Sequence, residues 1–283
     1  MKRQFFALLG VALLAFSLTG HAQSSSKANW ITSFNLNDNL YISQLSLPGA
    51  HDAATETLSI GKCQDKDLAG LWDAGVRVFD LRPTDGNGCP IYHGVLSTGI
   101  NLTQALTTIT GRLQSNPQEF AIVLMRNEND KGSTDNWKTR VTSVMNSFSS
   151  YVIPFNNNLR LGDVRGKVIV LSRDYFADGY TIGGWGGEPQ IYEVLPNGDG
   201  AFRFHVQDYY EVKNATTKQN VIKSLLDEAR TRPVRTSCSS TIRRAISPVV
   251  SLVLTMIFQV TPIPPTSVPS TISTPIPAAR ASS

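Results

Sequence analysis

Two apolar runs, each the length of a β-strand, constrain the fold of this chain more than any other feature. They are FAIVLM, residues 120–125, and KVIVLS, residues 167–172. A strand that is apolar throughout, rather than alternating, is typical of a parallel sheet buried on both faces. Helices are predicted before and between these runs, at residues 102–115 and 137–148. This alternation of buried strands and helices predicts a parallel α/β architecture.

Polar side chains recur where the predicted strands end. The remaining strands are predicted at about residues 40–47, 76–82, 90–94 and 201–206, and further helices at 65–74 and 217–230. In a parallel barrel the carboxyl ends of the strands converge on one rim, where such folds carry their chemistry. Eight residues follow predicted strand ends in this way: His51, Asp52, Arg82, His93, Arg126, Arg173, Asp208 and Tyr210.

The stretch LSLPGAHDAATET, residues 45–57, contains the first two of these residues. Pro48 and Gly49 are predicted to stop the preceding strand and to begin a turn. His51 and Asp52 should therefore lie just past the carboxyl end of that strand. On its own a His-Asp pair in a loop is more often solvated than functional, so its meaning depends on the other rim residues.

Two histidines and an arginine on one rim suit attack on a phosphodiester. An imidazole has an ordinary pKa near 6.5, so one ring can accept a proton from an attacking hydroxyl while the other donates one to the leaving alkoxide. Arg82 offers a fixed, charged fork to the phosphate oxygens. Asp52 is placed to fix a histidine tautomer. Because this scheme needs no metal, and Arg82 would oppose a divalent cation, neither a metal nor another cofactor is predicted.

Three motifs in order, LSLPGAHDAATET, VFDLRPTDG and IYHG, resemble the bacterial phosphatidylinositol-specific phospholipase C family. The first two are separated by roughly 30 residues and the third follows about 10 residues later. The downstream segments FAIVLMRNE, RGKVIVLSR and VQDYYEV resemble later strands of the same family. The resemblance covers about residues 30–235. It implies a TIM-type (β/α)8 barrel of the α/β class that is distorted and, here, incomplete at the C-terminus.

The resemblance also implies a reaction and a role for each rim residue. The substrate would be phosphatidylinositol, or a glycosyl-phosphatidylinositol (GPI) anchor, at a membrane surface, and the products diacylglycerol and inositol 1,2-cyclic phosphate. His51 would be the general base on the inositol 2-hydroxyl, His93 the general acid paired with Asp52, and Arg82 the phosphate ligand. Four residues would bind the inositol ring, three by hydrogen bonds and the last by stacking: Arg126, Arg173, Asp208 and Tyr210.

The amino-terminal residues 1–22 have the features of a secretory signal peptide. A basic start is followed by an apolar segment and by small residues at positions 20 and 22. We therefore expect a secreted or periplasmic protein, with a retained N-terminal anchor as the alternative. A polar leader, 23–29, precedes the barrel. In an oxidising compartment Cys63 and Cys89 could form a disulfide. Cys238 would then be the odd cysteine, with no second cysteine left in the sequence to pair with.

The tail, residues 236–283, departs from the family. From residue 229 onward the chain has no Asp, Glu, Lys, Asn or Gly, and its last part is rich in Pro, Ser and Thr. Such composition predicts disorder. A shifted reading frame near residue 236, or a genuine Pro/Thr-rich stalk, would each account for it. In the family a late strand supplies an aspartate that orients the general base, so His51 is expected to lack that partner.

Composition excludes some functions and leaves others open. The formal charge of +4, without a dense Lys/Arg block, does not indicate a nucleic-acid partner, and a monomer is expected. Three alternatives to the phospholipase remain: a catalytically impaired protein that binds inositol phospholipid, a metal-dependent glycerophosphodiester phosphodiesterase, and a non-functional frameshift product that does not fold. The phosphodiesterase would need additional acidic residues at the rim.

Overall fold

A computed structural model describes residues 27–128, 134–156, 158–194, 204–231, 237–241 and 253–260. Its strands are β1 (Ser46–Ala50), β2 (Val78–Leu81), β3 (Pro90–His93), β4 (Leu96–Asn101), β5 (Ala121–Met125), β6 (Val152–Pro154), β7 (Val168–Ser172), β8 (Tyr192–Val194), β9 (Phe204–Gln207), β10 (Ser237–Thr241) and β11 (Val253–Val260). Its helices are α1 (Trp30–Ser33), α2 (Leu68–Asp73), α3 (Leu102–Ser115), α4 (Asp135–Ser147), α5 (Leu161–Val164) and α6 (Ala215–Thr231). None of the helices in this described part is both long and apolar enough to cross a membrane.

The centre of the molecule is the parallel set β6-β7-β5-β2-β1. All five residues of β5 are buried, as are all five of β7, which confirms the interpretation of the two apolar runs. Successive side chains of a strand point to opposite faces. Val123 therefore packs in the core beneath α2, α3 and α4, while Ile122 packs in a second core on the other face with Phe204 of β9.

The sheet continues beyond β1 in a mixed arrangement. Strand β11 lies antiparallel between β1 and β10, β10 is parallel to β9, and β8 is antiparallel to β9. Among the described residues the two outer strands, β6 and β8, are not paired with each other. The sheet is thus an open, distorted version of the (β/α)8 barrel, as the sequence predicted.

The first strand is displaced from its predicted position. It covers residues 46–50 rather than 40–47, and residues 42–44 form a short 3-10 helix instead. The prediction that Pro48 stops the strand is wrong because proline removes only one N–H donor, and the Pro48 carbonyl still accepts a hydrogen bond from the Arg77 N–H at 2.9 Å. His51 nevertheless follows the strand directly.

Two other predictions also need correction. Strand β3 does not belong to the barrel sheet, because it pairs with β4 in a separate antiparallel hairpin. The tail is not irregular throughout, because residues 237–241 and 253–260 are strands. The segment VLTMIFQV of β11 is rich in the residue types that favour strands, and it covers an edge of β1 that would otherwise be unpaired. Residues 1–26, 242–252 and 261–283, including the predicted signal peptide, lie outside the described residues.

Candidate active site

The ends of β1 and β2 bring the central residues together. His51 and Asp52 follow β1 directly, while Asp80 on β2 and Arg82 just after it are two residues apart and so share one face. The two segments are tied by a hydrogen bond of 2.9 Å from the Ala53 N–H to the Asp80 carbonyl. Asp52 has a positive φ of 44°, a backbone conformation that few residues other than glycine adopt. In this conformation Asp52 Oδ2 lies 2.8 Å from Nε2 of the preceding His51.

The His51 ring lies between two carboxylates. Its Nδ1 is 2.7 Å from Asp80 Oδ2, and its Nε2 is 2.8 Å from Asp52 Oδ2. The ring is only 7% exposed. Burial by itself lowers the pKa of an imidazole, but the charges and hydrogen bonds of Asp52 and Asp80 outweigh it and raise the pKa of His51 above 6.5. Burial raises the pKa of Asp52, and the charge of Asp80 adds to this, but the charge and hydrogen bond of His51 and the charge of Arg82 outweigh both and lower it.

Arg82 contacts three carboxylates. Its Nε is 2.7 Å from Asp52 Oδ1, its Nη1 donates to Glu128 Oε2 at 3.1 Å, and its Nη2 is 3.4 Å from Asp80 Oδ2. Burial opposes its charge, but these three anions outweigh burial and raise the pKa of the guanidinium. Arg82 is therefore permanently cationic and held rigidly at the centre of the site.

His93 reaches the same point from the β3–β4 hairpin. Its Nε2 is 3.5 Å from Asp52 Oδ2, and its Nδ1 donates to the Gly61 carbonyl at 2.7 Å in the tautomer that fits this acceptor. Glu128 holds the hairpin in place by accepting a hydrogen bond of 2.6 Å from the Gly94 N–H. The Nε2 atoms of His51 and His93 thus face one carboxylate oxygen of Asp52. The structure brings together all four residues predicted to be catalytic.

Two acidic residues of this site were not among the predicted site residues. Asp80 gives His51 an orienting carboxylate, so the expectation that His51 lacks such a partner is wrong. Glu128 links Arg82 to the hairpin. The alternation in VFDLR contains a signal for the first, since it places Asp80 on the same face as Arg82. The sequence offers no comparable signal for Glu128, because the pairing spans 46 residues.

Three of the four residues predicted to bind the inositol ring form a group close to the candidate catalytic residues, and the fourth, Tyr210, borders a separate cavity. Arg173 stacks 4.2 Å from the ring centre of Trp185, whose Nε1 donates to Asp208 Oδ2 at 3.1 Å. Burial, and then the charge of Arg126, lowers the pKa of Arg173, while Asp208 raises it. Arg126, Arg173 and Asp208 are therefore electrostatic neighbours. Tyr210 is 42% exposed and borders a cavity of about 200 Å³.

The structure answers one question that the sequence left open, whether Cys63 and Cys89 form a disulfide. Cys63 and Cys89 are not joined in a disulfide. Cys89 is buried in the core beneath the helices, and burial raises the pKa of its thiol to about 11. Cys63 lies instead at the candidate site, with its Sγ 3.7 Å from Asp52 Oδ2.

Comparisons with known proteins find similarity to one family of phospholipases. The profile of the family described as "Phosphatidylinositol-specific phospholipase C, X domain" matches residues 50–174. A 1-phosphatidylinositol phosphodiesterase of Listeria monocytogenes is 28% identical over 69% of this chain and 67% of its own length. A protein of the same name from Staphylococcus aureus is 26% identical over 82% of this chain and 76% of its own.

Solved structures show the same fold. A mutant of the phosphatidylinositol-specific phospholipase C from Staphylococcus aureus superposes with a TM-score of 0.65 at 23% identity, covering 77% of each chain. The Listeria monocytogenes enzyme superposes with a TM-score of 0.60 at 23% identity, covering 76% of this chain and 80% of that one. The matched residues 50–174 include both histidines and Arg82, so this part of the chain is similar to the phosphatidylinositol-specific phospholipase C X domain.

Proposed function

We propose that this protein cleaves phosphatidylinositol to diacylglycerol and inositol 1,2-cyclic phosphate without a metal ion. The observation that carries the proposal is the convergence of two imidazole Nε2 atoms, from His51 and His93, on Asp52 beside a buried arginine. The relatives named 1-phosphatidylinositol phosphodiesterase support the substrate. A phosphodiester cleaved by an internal hydroxyl needs a base, an acid and a cation, and this site offers all three.

The proposed reaction assigns one proton transfer to each histidine. His51 Nε2 takes the proton of the inositol 2-hydroxyl as its oxygen bonds to phosphorus, and Asp80 holds the opposite Nδ1–H. As the bond from phosphorus to the glycerol oxygen breaks, protonated His93 donates its Nε2 proton to that oxygen. Arg82 has five N–H donors, enough to contact its carboxylates and a phosphate oxygen whose charge grows in the transition state.

The direct test is product analysis with the full chain, phosphatidylinositol and an excess of chelator. We expect release of inositol 1,2-cyclic phosphate at the same rate with and without chelator, and none of the corresponding product from phosphatidylcholine. Loss of turnover in chelator would contradict the proposal in favour of a metal-dependent phosphodiesterase. A folded protein that binds phosphatidylinositol vesicles but releases no product would identify a binding protein instead. The same assay on a GPI-anchored protein decides whether that anchor is also a substrate.

The pH dependence of this activity follows from the His51 environment. His51 must be neutral to accept a proton, and its pKa is raised above 6.5 by Asp52 and Asp80. We therefore expect kcat/KM to rise with pH through an acid limb whose apparent pKa lies above 6.5, since the site loses its base below that pH. Initial rates from pH 5 to 9 at constant ionic strength measure it. An acid limb centred below 6.5 would contradict the assignment of His51 as the base.

Two exposed apolar side chains border His93 and are proposed to contact the lipid surface. Ile60 is 78% exposed and Val95 is 92% exposed. Ile60 precedes Gly61, whose carbonyl binds His93, and Val95 lies two residues after His93 on the hairpin. A solved Staphylococcus aureus relative is described in terms of membrane binding, which supports a membrane-facing rim. Residues 1–22, interpreted as a signal peptide, support export to where such a surface is met.

We expect the double variant Ile60→Ser, Val95→Ser to lower turnover on phosphatidylinositol vesicles by about tenfold or more, because full burial of one aliphatic side chain is worth about 1.5–3 kcal/mol. Turnover of a monomeric short-chain substrate should be unchanged. Vesicle sedimentation measures binding alongside activity. Phe34→Ser is the matched control. Phe34 is 67% exposed, but its segment is hydrogen-bonded to Gly75 and Glu119. These two residues precede β2 and β5, so Phe34 lies at the amino ends of the strands and not at the rim. Equal losses in the two proteins would contradict a specific rim contact.

A further inference from the structure

We propose that the site binds one thiophilic divalent cation, Zn²⁺, between Cys63, His51 and Asp52, and that the bound ion inhibits the enzyme. The binding part rests on the geometry alone. The inhibition rests on the function proposed above, because it requires that the His51 Nε2 lone pair is needed for turnover. The two parts are therefore tested by separate measurements.

Three ligand atoms lie close enough together to share one zinc ion. Cys63 Sγ is 3.7 Å and His51 Nε2 is 2.8 Å from Asp52 Oδ2, and the three atoms all lie within 4.8 Å of one another. Zinc bonds to N, O and S of about 2.0–2.3 Å place tetrahedral ligands about 3.3–3.7 Å apart, so a small separation of His51 from Asp52 admits the ion. One imidazole, one carboxylate and one thiolate leave the fourth tetrahedral position to water.

The His51 imidazole is already oriented as a metal ligand. A zinc-bound histidine normally donates its other ring N–H to a carboxylate or a backbone carbonyl, which fixes the tautomer and makes the ligating nitrogen more basic. Here the Nδ1 of His51 faces Asp80 at 2.7 Å. When the ring is neutral it therefore presents its Nε2 lone pair to Asp52 and Cys63.

The local charge favours a cation in spite of Arg82. The sequence suggested that this arginine would oppose a divalent ion. In the structure Arg82 is matched by three carboxylates, from Asp52, Asp80 and Glu128, which leaves a net charge of −2 when both imidazoles are neutral. Arg82 Nε contacts Asp52 through Oδ1, so Oδ2 still faces the histidines and Cys63. Cys63 is half-buried, and its loop gives the ion a route from solvent.

Binding at this point stops proton transfer. An ion coordinated by His51 Nε2 occupies the lone pair that would accept the proton of the inositol hydroxyl. Chelation restores this lone pair. The protein would thus be active in chelator and inhibited by zinc, with Cys63 as the residue that makes the site selective for soft ions over Mg²⁺ and Ca²⁺.

The test compares Cys63→Ser with the unaltered full chain, and uses Cys89→Ala as the matched cysteine control. Co²⁺, a spectroscopic probe for zinc sites, should give a thiolate-to-metal charge-transfer band in the unaltered chain and in Cys89→Ala, but not in Cys63→Ser. Zn²⁺ should displace it with a stoichiometry of one per chain. The Zn²⁺ concentration for half-inhibition should rise at least about tenfold in Cys63→Ser, because even loss of an outer-shell partner weakens metal sites 10–100-fold. Inhibition of each protein is expressed relative to its own activity in chelator.

The possible contrary results separate the two parts. A cobalt band that persists in Cys63→Ser, or that is absent from the unaltered chain, overturns the site. Zinc inhibition equal in Cys63→Ser and the unaltered chain overturns Cys63 as a ligand. If the band depends on Cys63 but the loaded enzyme turns over at full rate, the inhibition is overturned and the role of His51 as base falls with it, while the site stands.

Discussion

Replacing His51 with alanine is expected to lower kcat on phosphatidylinositol by about 10²–10⁴-fold, the usual contribution of a positioned general base. The variant removes the acceptor of the inositol proton but leaves Arg82 paired with Asp52, Asp80 and Glu128, so the protein should remain folded. Release of cyclic inositol phosphate under saturating substrate measures kcat. Circular dichroism and thermal unfolding check the fold. A loss of less than tenfold in a folded protein would contradict the role of His51.

Asp80→Asn tests whether Asp80 orients His51, because this variant leaves the base itself in place. The amide retains the size of the carboxylate but no longer offers His51 Nδ1 a charged acceptor at 2.7 Å. We expect kcat to fall, and the acid limb of kcat/KM to move to lower pH, because one of the groups that raise the pKa of His51 is lost. A purely structural role would lower activity without moving the limb. An unchanged limb would therefore contradict the assignment of Asp80 as the orienting residue.

Glu119→Ala is expected to lower the free energy of unfolding by about 3–5 kcal/mol, because it leaves the buried charge of Arg77 without its partner. Both side chains are fully buried, and Glu119 Oε2 accepts hydrogen bonds from Arg77 Nε at 3.0 Å and Nη2 at 2.8 Å. Glu119 also accepts two hydrogen bonds from Thr32, which fasten α1 to the amino ends of β2 and β5. Urea unfolding measures the loss.

Two further variants make this expectation specific. Asp73→Ala breaks an exposed pair with Arg112, and should cost no more than about 1 kcal/mol because exposed pairs are weak. The double variant Arg77→Met, Glu119→Leu removes both buried charges, and should be less destabilised than Glu119→Ala alone. A double variant as unstable as the single one would show that packing, rather than the unpaired charge, dominates.

The sequence predicts well those elements whose pattern is local. Helix α3 has the predicted bounds, since Asn101 caps its start and Asn116 ends it after a regular apolar face. Strands β5 and β7 differ from prediction by one residue, because a strand buried on both faces must be apolar throughout. The ends of β1 and β2 were sufficient to predict that His51 and Arg82 lie together.

What the sequence missed depends on contacts between distant segments. The sequence predicts β3 as a barrel strand, because PIYH alone does not indicate which neighbouring strand it pairs with. The contacts of Glu128 with Arg82 and Gly94 depend on three segments meeting at the rim. The tail gave no family motif, yet its apolar segment pairs with β1 through backbone hydrogen bonds, which need no particular side chains.

The position of β11 has a consequence for when the enzyme can become active during its synthesis. Strand β1, which leads directly to His51, has β2 on one side and β11 on the other. Its second neighbour comes from residues 253–260, far later in the chain than His51, Arg82 and His93. A nascent chain therefore holds all four candidate catalytic side chains long before the strand that positions His51 is supported on both sides. With the proposed activity on membrane lipid, the protein would in this way stay unfinished until residues 253–260 have been synthesised.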